Sequence, residues 1–413
     1  MKKLPTYKFF LSAIVFIFVT LVVMNSVQSF TIVAQIGMYG KVIFSGLGIL
    51  GCLVFLHNNP IRVVLRNQYL LGTAYALILI FSIFFAVRYS DSDKLLFNLV
   101  FPIYLVFYYL VYKSMLRVQF DSAGLETAER GKLMVLKAYR AALLVNTVVW
   151  FAIALAGNVF MYDAGGFGGF FVDKIHFGLY AATGFLVCFY LRYHERYNDR
   201  SWSNLLQILL YLALVIFTSR NAIFICATAI LYYFFLSRIK SGFLIFLLLL
   251  VGLIALYYQE IFLDISPKTI NELSTGRFEI WRLALKAIFE QGILWGNGLF
   301  NLNSIVLSEN IGTGFYYLDT LDFLYFHSSY IEILAGGGIV LLVLFVLIML
   351  NTWPVFSRMD KTILIPILWG ALVESYLAQP FLLISSLFYF LLMANSSIVR
   401  IKRTTVDNLK PIK

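Results

Sequence analysis

An all-α, polytopic membrane protein with about twelve spanning helices is the fold class this sequence predicts. Two observations predict it. The chain of 413 residues is 61% hydrophobic and only 13% charged, with 40 Phe and 26 Tyr, and its mean hydropathy is +0.86. Apolar runs approaching or reaching the length that spans a bilayer, about 18 residues, recur from end to end. A soluble chain of this length would divide into two or three domains, which the composition excludes. Barrel strands alternate polar and apolar residues, so the continuous runs also exclude a membrane barrel. Residues 1–413 are read as one integral membrane domain.

The spans are predicted at 9–25, 42–56, 69–87, 95–112, 141–161, 177–191, 204–218, 222–236, 243–258, 330–350, 363–378 and 380–396. The opening "MKKLPTYKFFLSAIVFIFVTLVVMNS" has a basic head and an apolar run without an A-x-A cleavage site, and is read as a retained first helix. Cys52, Cys188 and Cys226 lie inside apolar runs, as small core residues without disulfide or metal spacing. No GxxxxGK[ST] or GxGxxG occurs, so nothing points to a nucleotide-driven pump. No cofactor or metal is expected.

An even number of spans puts both termini on one side. Loops on that side hold 23 Lys and Arg, among them the segment 113–140 and the tail "RIKRTTVDNLKPIK". The opposite loops hold eight: Arg88, Lys94, Lys174, Arg220, Lys268, Arg277, Arg282 and Lys286. Lys41, at the start of the second span, completes the set. The asymmetry predicts cytoplasmic termini, and it accounts for the net charge of +11 without nucleic acid. The longest loop, 259–329 between the ninth and tenth spans, is then extracytoplasmic. A shorter glycine-rich loop, "DAGGFGGFFVDKIHFG", lies on the same side.

Within the long loop, "STGRFEIWRLALKAIFEQGILWGNGLF" (274–300) predicts an amphipathic helix over 276–291, lying along the membrane surface. Ser274 or Thr275 suits its N-cap and Gly292 its end. Phe278, Trp281, Leu285, Ile288 and Phe289 fall on one side; Glu279, Arg282, Lys286 and Glu290 share a polar arc at pairing distance. A solvated, paired face accounts for Arg282 and Lys286. Arg277 falls outside that arc and in the first turn, where the helix dipole disfavours a cation. It either binds an anion or snorkels to the interface.

Arg220, in "TSRNAIF", stands in a minimal connection between two apolar runs. Close to hydrocarbon such a side chain is a headgroup anchor or an anion ligand. His327, in "HSSYIEILAGGGIV", ends the long loop just before the tenth span. It is a structural residue or a general base. Glu332 is five residues on, a spacing that does not bring the two together on one helix. The GGG run at 336–338 permits close helix packing. Two guanidiniums suit a diphosphate, which they grip through paired hydrogen bonds. An imidazole suits deprotonation of a hydroxyl. Together they suit transfer of a group from a lipid diphosphate.

These three blocks, in this order, resemble the O-antigen ligase and polysaccharide polymerase superfamily of bacterial inner-membrane proteins, over residues 200–345. Its members show an SR after a helix, an R-x3-W followed by a G-x-G turn, and an H-N motif. The resemblance implies that Arg220, Arg277 and His327 are the catalytic residues and that Gly296 and Gly298 form the G-x-G turn. Arg282, Trp281, Tyr330, Glu332 and the two glycines are expected at the diphosphate and glycan. Ser328 stands where Asn usually follows the histidine, and Gly337 where an acidic residue often stands. The implied activity is a metal-independent, inverting glycosyl transfer from an undecaprenyl-diphosphate-linked oligosaccharide to a sugar hydroxyl, at the outer face of the cytoplasmic membrane. Joining repeat units into capsule, O-antigen or exopolysaccharide is the leading expectation. A ligase acting on a lipid or protein acceptor is the first alternative and a non-catalytic lipid-linked oligosaccharide flippase the second. Membrane lipid, a chain-length regulator and a separate flippase are the expected partners.

Overall fold

The computed structural model describes residues 4–27, 31–61, 63–65, 67–89, 94–123, 127–157, 160–163, 166–171, 173–194, 199–238, 276–291, 293–309 and 324–399. Eight helices precede residue 239: α1 (Leu4–Ser26), α2 (Thr31–Asn58), α3 (Gln68–Tyr89), α4 (Leu95–Ala123), α5 (Thr127–Gly157), α6 (Lys174–Tyr193), α7 (Trp202–Ile216) and α8 (Arg220–Phe234). Five follow residue 275: α9 (Arg277–Gln291), α10 (Asn301–Glu309), α11 (Ser329–Thr352), α12 (Arg358–Gly370) and α13 (Leu383–Ser396). Two short antiparallel ribbons complete the described structure, β1 (Val63–Leu65) with β4 (Ser397–Val399) and β2 (Met161–Asp163) with β3 (Gly166–Gly169).

This is a mostly helical, multi-pass membrane protein. Among the described residues seven helical stretches are long and apolar enough to cross a bilayer: 7–26, 31–58, 68–89, 95–118, 129–157, 174–193 and 329–355. Three apolar helices, α7, α8 and α13, are shorter. The count of twelve is therefore not reproduced. The predicted ninth span, 243–258, lies outside the described residues, as do 259–275 and 310–323 of the long loop.

Several predicted boundaries change. α4 runs on to Ala123 and α5 begins at Thr127, so most of the segment 113–140, expected as a loop, is helical. α2 begins at Thr31 rather than residue 42, so Lys41 lies ten residues inside the helix, buried, with its ammonium 4.2 Å from the centre of the Phe381 ring. The stretch 363–378 is not one helix. α12 ends at Gly370, and residues 371–382 form an irregular passage with one 3-10 turn at Tyr376–Ala378. Ser329 holds that passage open: its amide donates to the carbonyls of Ala371 (2.8 Å) and Glu374 (3.0 Å), and its hydroxyl donates to Glu374 (2.6 Å) and accepts from the Leu377 amide (3.0 Å). Carbonyls that would continue a helix are bonded elsewhere.

α6 is the central helix, buried without interruption from Phe177 to Leu191. An apolar helix covered all round belongs inside a bundle. α1, α2, α4 and α5 pack together beside it, α7 and α8 pack on it, α8 runs along α12, and α3 along α11. One end of the bundle is tied by the β1–β4 ribbon, by Asn67 donating to Thr352 (2.7 Å), and by Lys132 held between Asp360 (3.0 Å) and Glu129 (2.8 Å). The other end gathers the starts of α4, α6, α8, α9 and α11 and the passage after α12. There Asn98 exchanges bonds with Leu299, and Tyr89 donates to Gln291. The candidate site lies at this second end.

Candidate active site

Arg220 is the first residue of α8. Ser219 ahead of it is extended, and its hydroxyl accepts from the Ala222 amide at 3.3 Å, an N-cap that fixes where the helix begins. Gly178 of α6 allows this junction its depth: a Cβ there would lie 2.7 Å from the Ser219 hydroxyl oxygen. The next residue, Asn221, donates to the Gly370 carbonyl at the end of α12 (3.4 Å). Arg220 itself is exposed.

Arg277 opens α9, after Gly276 at φ +82°. Its Nη2 lies 2.6 Å from Glu374 Oε1. The anion that this unusually placed arginine calls for is, in the structure, a carboxylate of the same chain 97 residues on. Arg277 is 20% exposed and Glu374 9% exposed, so the pair is poorly screened by water. Glu374 engages one nitrogen, whereas a guanidinium offers five N–H donors.

His327 stands between two fixed neighbours. Before it, the Phe326 carbonyl accepts from Trp281 Nε1 (2.8 Å), and the Phe326 amide donates to Glu332 Oε1 (2.9 Å). After it comes Ser329, bonded to the passage around Glu374. Held at both sides, His327 adopts φ +49°, a left-handed conformation uncommon outside glycine. Its Nδ1 is 3.7 Å from Glu374 Oε2, an ion-pair distance rather than a hydrogen bond. Glu374 therefore faces Arg277 with one oxygen and His327 with the other.

Glu332 is fully buried behind the histidine. It accepts from Asn303 (3.1 Å), from the Phe326 amide and from Ser375 (3.3 Å), and so ties α10, α11 and the 371–382 passage together. Tyr330 points toward α12, its hydroxyl donating to the Leu368 carbonyl at 2.7 Å. Arg282 is exposed and paired with Glu279, and Lys286 lies 3.8 Å from Glu290, the solvated arc expected of them.

The buried face of α9 differs from the predicted one. Ile280, Ala284, Ala287 and Ile288 are buried, in one cluster with Leu302, Val306, Leu324, Phe326 and Ala335, whereas Phe289 is 65% exposed. α9 packs on α10 and α11. Two alanines let the helices approach closely, which outweighs the bulk of the aromatic side chains. Ser274, Thr275 and Gly292, proposed for its ends, lie outside the described residues.

The GGG run does more than admit a neighbour. Gly337 (φ −140°, ψ 17°) and Gly338 (φ 64°, ψ −167°) break α11. The 293–298 turn docks into the break: Asn297 N donates to Ala335 O (2.9 Å), Gly298 N to Gly336 O (2.7 Å) and Ile339 N to Ile293 O (2.9 Å). Gly296 and Gly298 have positive φ at this junction, which gives both a packing reason.

A second imidazole lies at the same end. Asp173 caps α6 by accepting from the His176 amide (2.7 Å), and its other oxygen is 2.6 Å from His176 Nδ1. Burial pushes the Asp173 carboxyl up, but the bonds from the His176 ring and backbone outweigh it and hold the group below the usual carboxylate range. Glu374 is within electrostatic reach of His176. Among the described residues no three His, Cys, Asp or Glu side chains converge as a metal site requires.

Residues 205–346 match the family model described as O-antigen ligase. This segment belongs to the O-antigen ligase/polymerase superfamily. The match covers Arg220, Arg277, Trp281, Arg282, Gly296, Gly298, His327, Tyr330 and Glu332 of the superfamily segment, while Asp173, His176 and Glu374 lie outside it. No curated protein matches the chain.

Sequence reasoning missed Glu374, Ser329 and the Asp173–His176 pair. For Glu374 a signal existed in "GALVESYLAQPF": a carboxylate inside an apolar run of membrane length is a functional-site candidate by itself.

Proposed function

We propose that this chain is a repeat-unit polymerase of the bacterial cytoplasmic membrane, transferring an undecaprenyl-diphosphate-linked glycan to a sugar hydroxyl of a second lipid-linked repeat unit. One observation carries it: within a superfamily-type segment, Arg277 and His327 converge on one carboxylate, at the bundle end that also presents Arg220. Arg220 and Arg277 grip the diphosphate through paired N–H···O bonds. His327 Nε2 takes the proton of the acceptor hydroxyl. The freed oxygen bonds to C1 of the donor glycan from the face opposite the diphosphate. The C1–O bond to the diphosphate breaks, its electron pair leaves with the diphosphate, and the two guanidiniums stabilise the added charge. A single displacement inverts the anomeric centre, and the arginines supply the stabilisation that a metal would otherwise give.

The sidedness of the charges supports an extracytoplasmic site. Among the described residues Arg88, Lys94, Lys174, Arg220, Arg277, Arg282 and Lys286 lie at the site's end, against the larger set of Lys8, Lys113, Arg117, Arg130, Lys132, Lys137, Arg140, Arg192, Arg200, Arg238, Arg358 and Lys361 toward the other. The description of the matched family favours a ligase as the second reading. Gene deletion with surface-glycan profiling separates them. Single repeat units on the acceptor mean a polymerase, unattached polymer means a ligase, and loss of all external glycan means a flippase.

A further inference from the structure

The proposed mechanism uses Arg220, Arg277 and His327 and leaves a buried carboxylate between two of them unexplained. Glu374 does not sit there by accident of a helix face. Its backbone carbonyl accepts twice from Ser329, and the neighbouring Ser375 hydroxyl is tied to Glu332. Its two oxygens are thereby aimed at different partners, Oε1 at Arg277 Nη2 (2.6 Å) and Oε2 at His327 Nδ1 (3.7 Å).

A carboxylate has opposite consequences on its two sides. Toward Arg277 it competes with phosphate oxygens for the same guanidinium, weakening the grip on a diphosphate and easing its departure. Toward His327, at 3.7 Å and without a hydrogen bond, its charge favours a proton on the near nitrogen Nδ1, which leaves Nε2 as the accepting nitrogen, and faces the positive charge the ring gains when the acceptor proton arrives. An amide of the same shape keeps the packing and loses both effects. We infer that Glu374 is the positioning residue of this site, moderating the diphosphate grip of Arg277 while orienting His327 as the base. This inference rests on the proposed function.

The test is Glu374→Gln, reconstituted in lipid nanodiscs and compared with wild type in two measurements: binding of undecaprenyl diphosphate as the probe, and the rate of transfer with a lipid-linked oligosaccharide. The two should move in opposite directions, binding roughly fivefold tighter as the competing charge is removed and transfer roughly 10²-fold slower or worse as the base loses its orienting partner. A merely structural residue would weaken both. Unchanged values, or a parallel loss of both, would overturn the inference. If the amide variant does not accumulate, Glu374→Asp keeps the charge but withdraws it by one methylene from partners on two sides; transfer should fall roughly tenfold or more, and wild-type transfer by it would overturn the inference equally. Wild-type protein that binds no undecaprenyl diphosphate would instead defeat the proposed function, and this inference with it. Normal wild-type binding without tightening in the variant defeats the role of Glu374 alone.

Discussion

Three arginines near the site differ in what surrounds them, and that difference predicts how each tolerates lysine. Arg277 faces a buried carboxylate with one nitrogen, and Arg220, exposed at the start of α8, is the second guanidinium proposed to grip the diphosphate. A planar fork with five donors is not replaced by an ammonium at such positions. Arg277→Lys and Arg220→Lys should each lower transfer by roughly tenfold or more while the protein accumulates in the membrane. Arg282 is 61% exposed and paired along its own helix, so Arg282→Lys should change activity by less than about twofold. Equal tolerance at all three in a reconstituted transfer assay would remove the diphosphate clamp. Of these residues Arg220 and Arg277 stand out in the sequence, because each breaks a local rule of charge or position. Glu374 meets Arg277 only across 97 residues of chain, a pairing that no local pattern encodes.

At the level of elements, the junction between the 293–298 turn and the break in α11 is the most constrained contact. A Cβ on Gly338 would fall 2.1 Å from the Leu294 carbonyl oxygen, and its φ of +64° with ψ near 180° is a region that essentially only glycine occupies. Gly338→Ala should therefore dislodge the turn, costing about 1–3 kcal/mol from backbone strain alone. Thermal unfolding in detergent should show a lowered midpoint, whereas Gly46→Ala, where a Cβ would meet open space, should be near neutral. The spacing of the glycines was visible in the sequence, but their mutual docking was not. A run of three glycines is compatible with an intact helix. Only the backbone bonds from Asn297, Gly298 and Ile339 show that the helix opens here to receive another segment. The same limit applied to α9, whose buried stripe is set by which neighbours arrive and not by side-chain bulk.

For the whole molecule, hydropathy made the helical class and most of the long spans legible, since burial in lipid leaves a continuous apolar run. It misjudged 363–378 because composition does not register where carbonyls find partners, and Ser329 supplies those partners from α11. Sidedness is directly testable. Leu294 is exposed at the site's end and Trp202 at the other, and the native Cys52, Cys188 and Cys226 are all buried. A membrane-impermeant maleimide on intact spheroplasts should label Leu294→Cys and leave Trp202→Cys unlabelled until the membrane is opened. The reverse pattern would put the site in the cytoplasm.

The shortness of α7 and α8 carries one more consequence. At about 1.5 Å per residue, fifteen residues reach only about 22 Å. The hydrocarbon core of a typical bilayer is about 30 Å thick. Leu206, Leu209, Phe224 and Leu231 on these two helices are exposed and apolar, the character of a flank that faces acyl chains. Hydrophobic mismatch there is relieved most cheaply if the bilayer dimples beside Arg220, letting phosphates sink below the surrounding headgroup plane. Lipid-linked diphosphates would then reach the arginine by sliding down a local slope in the leaflet, without leaving it. Turnover should accordingly fall as acyl chains lengthen, with activity in di-14:1 phosphatidylcholine exceeding that in di-22:1, and a flat dependence on chain length would rule the dimple out.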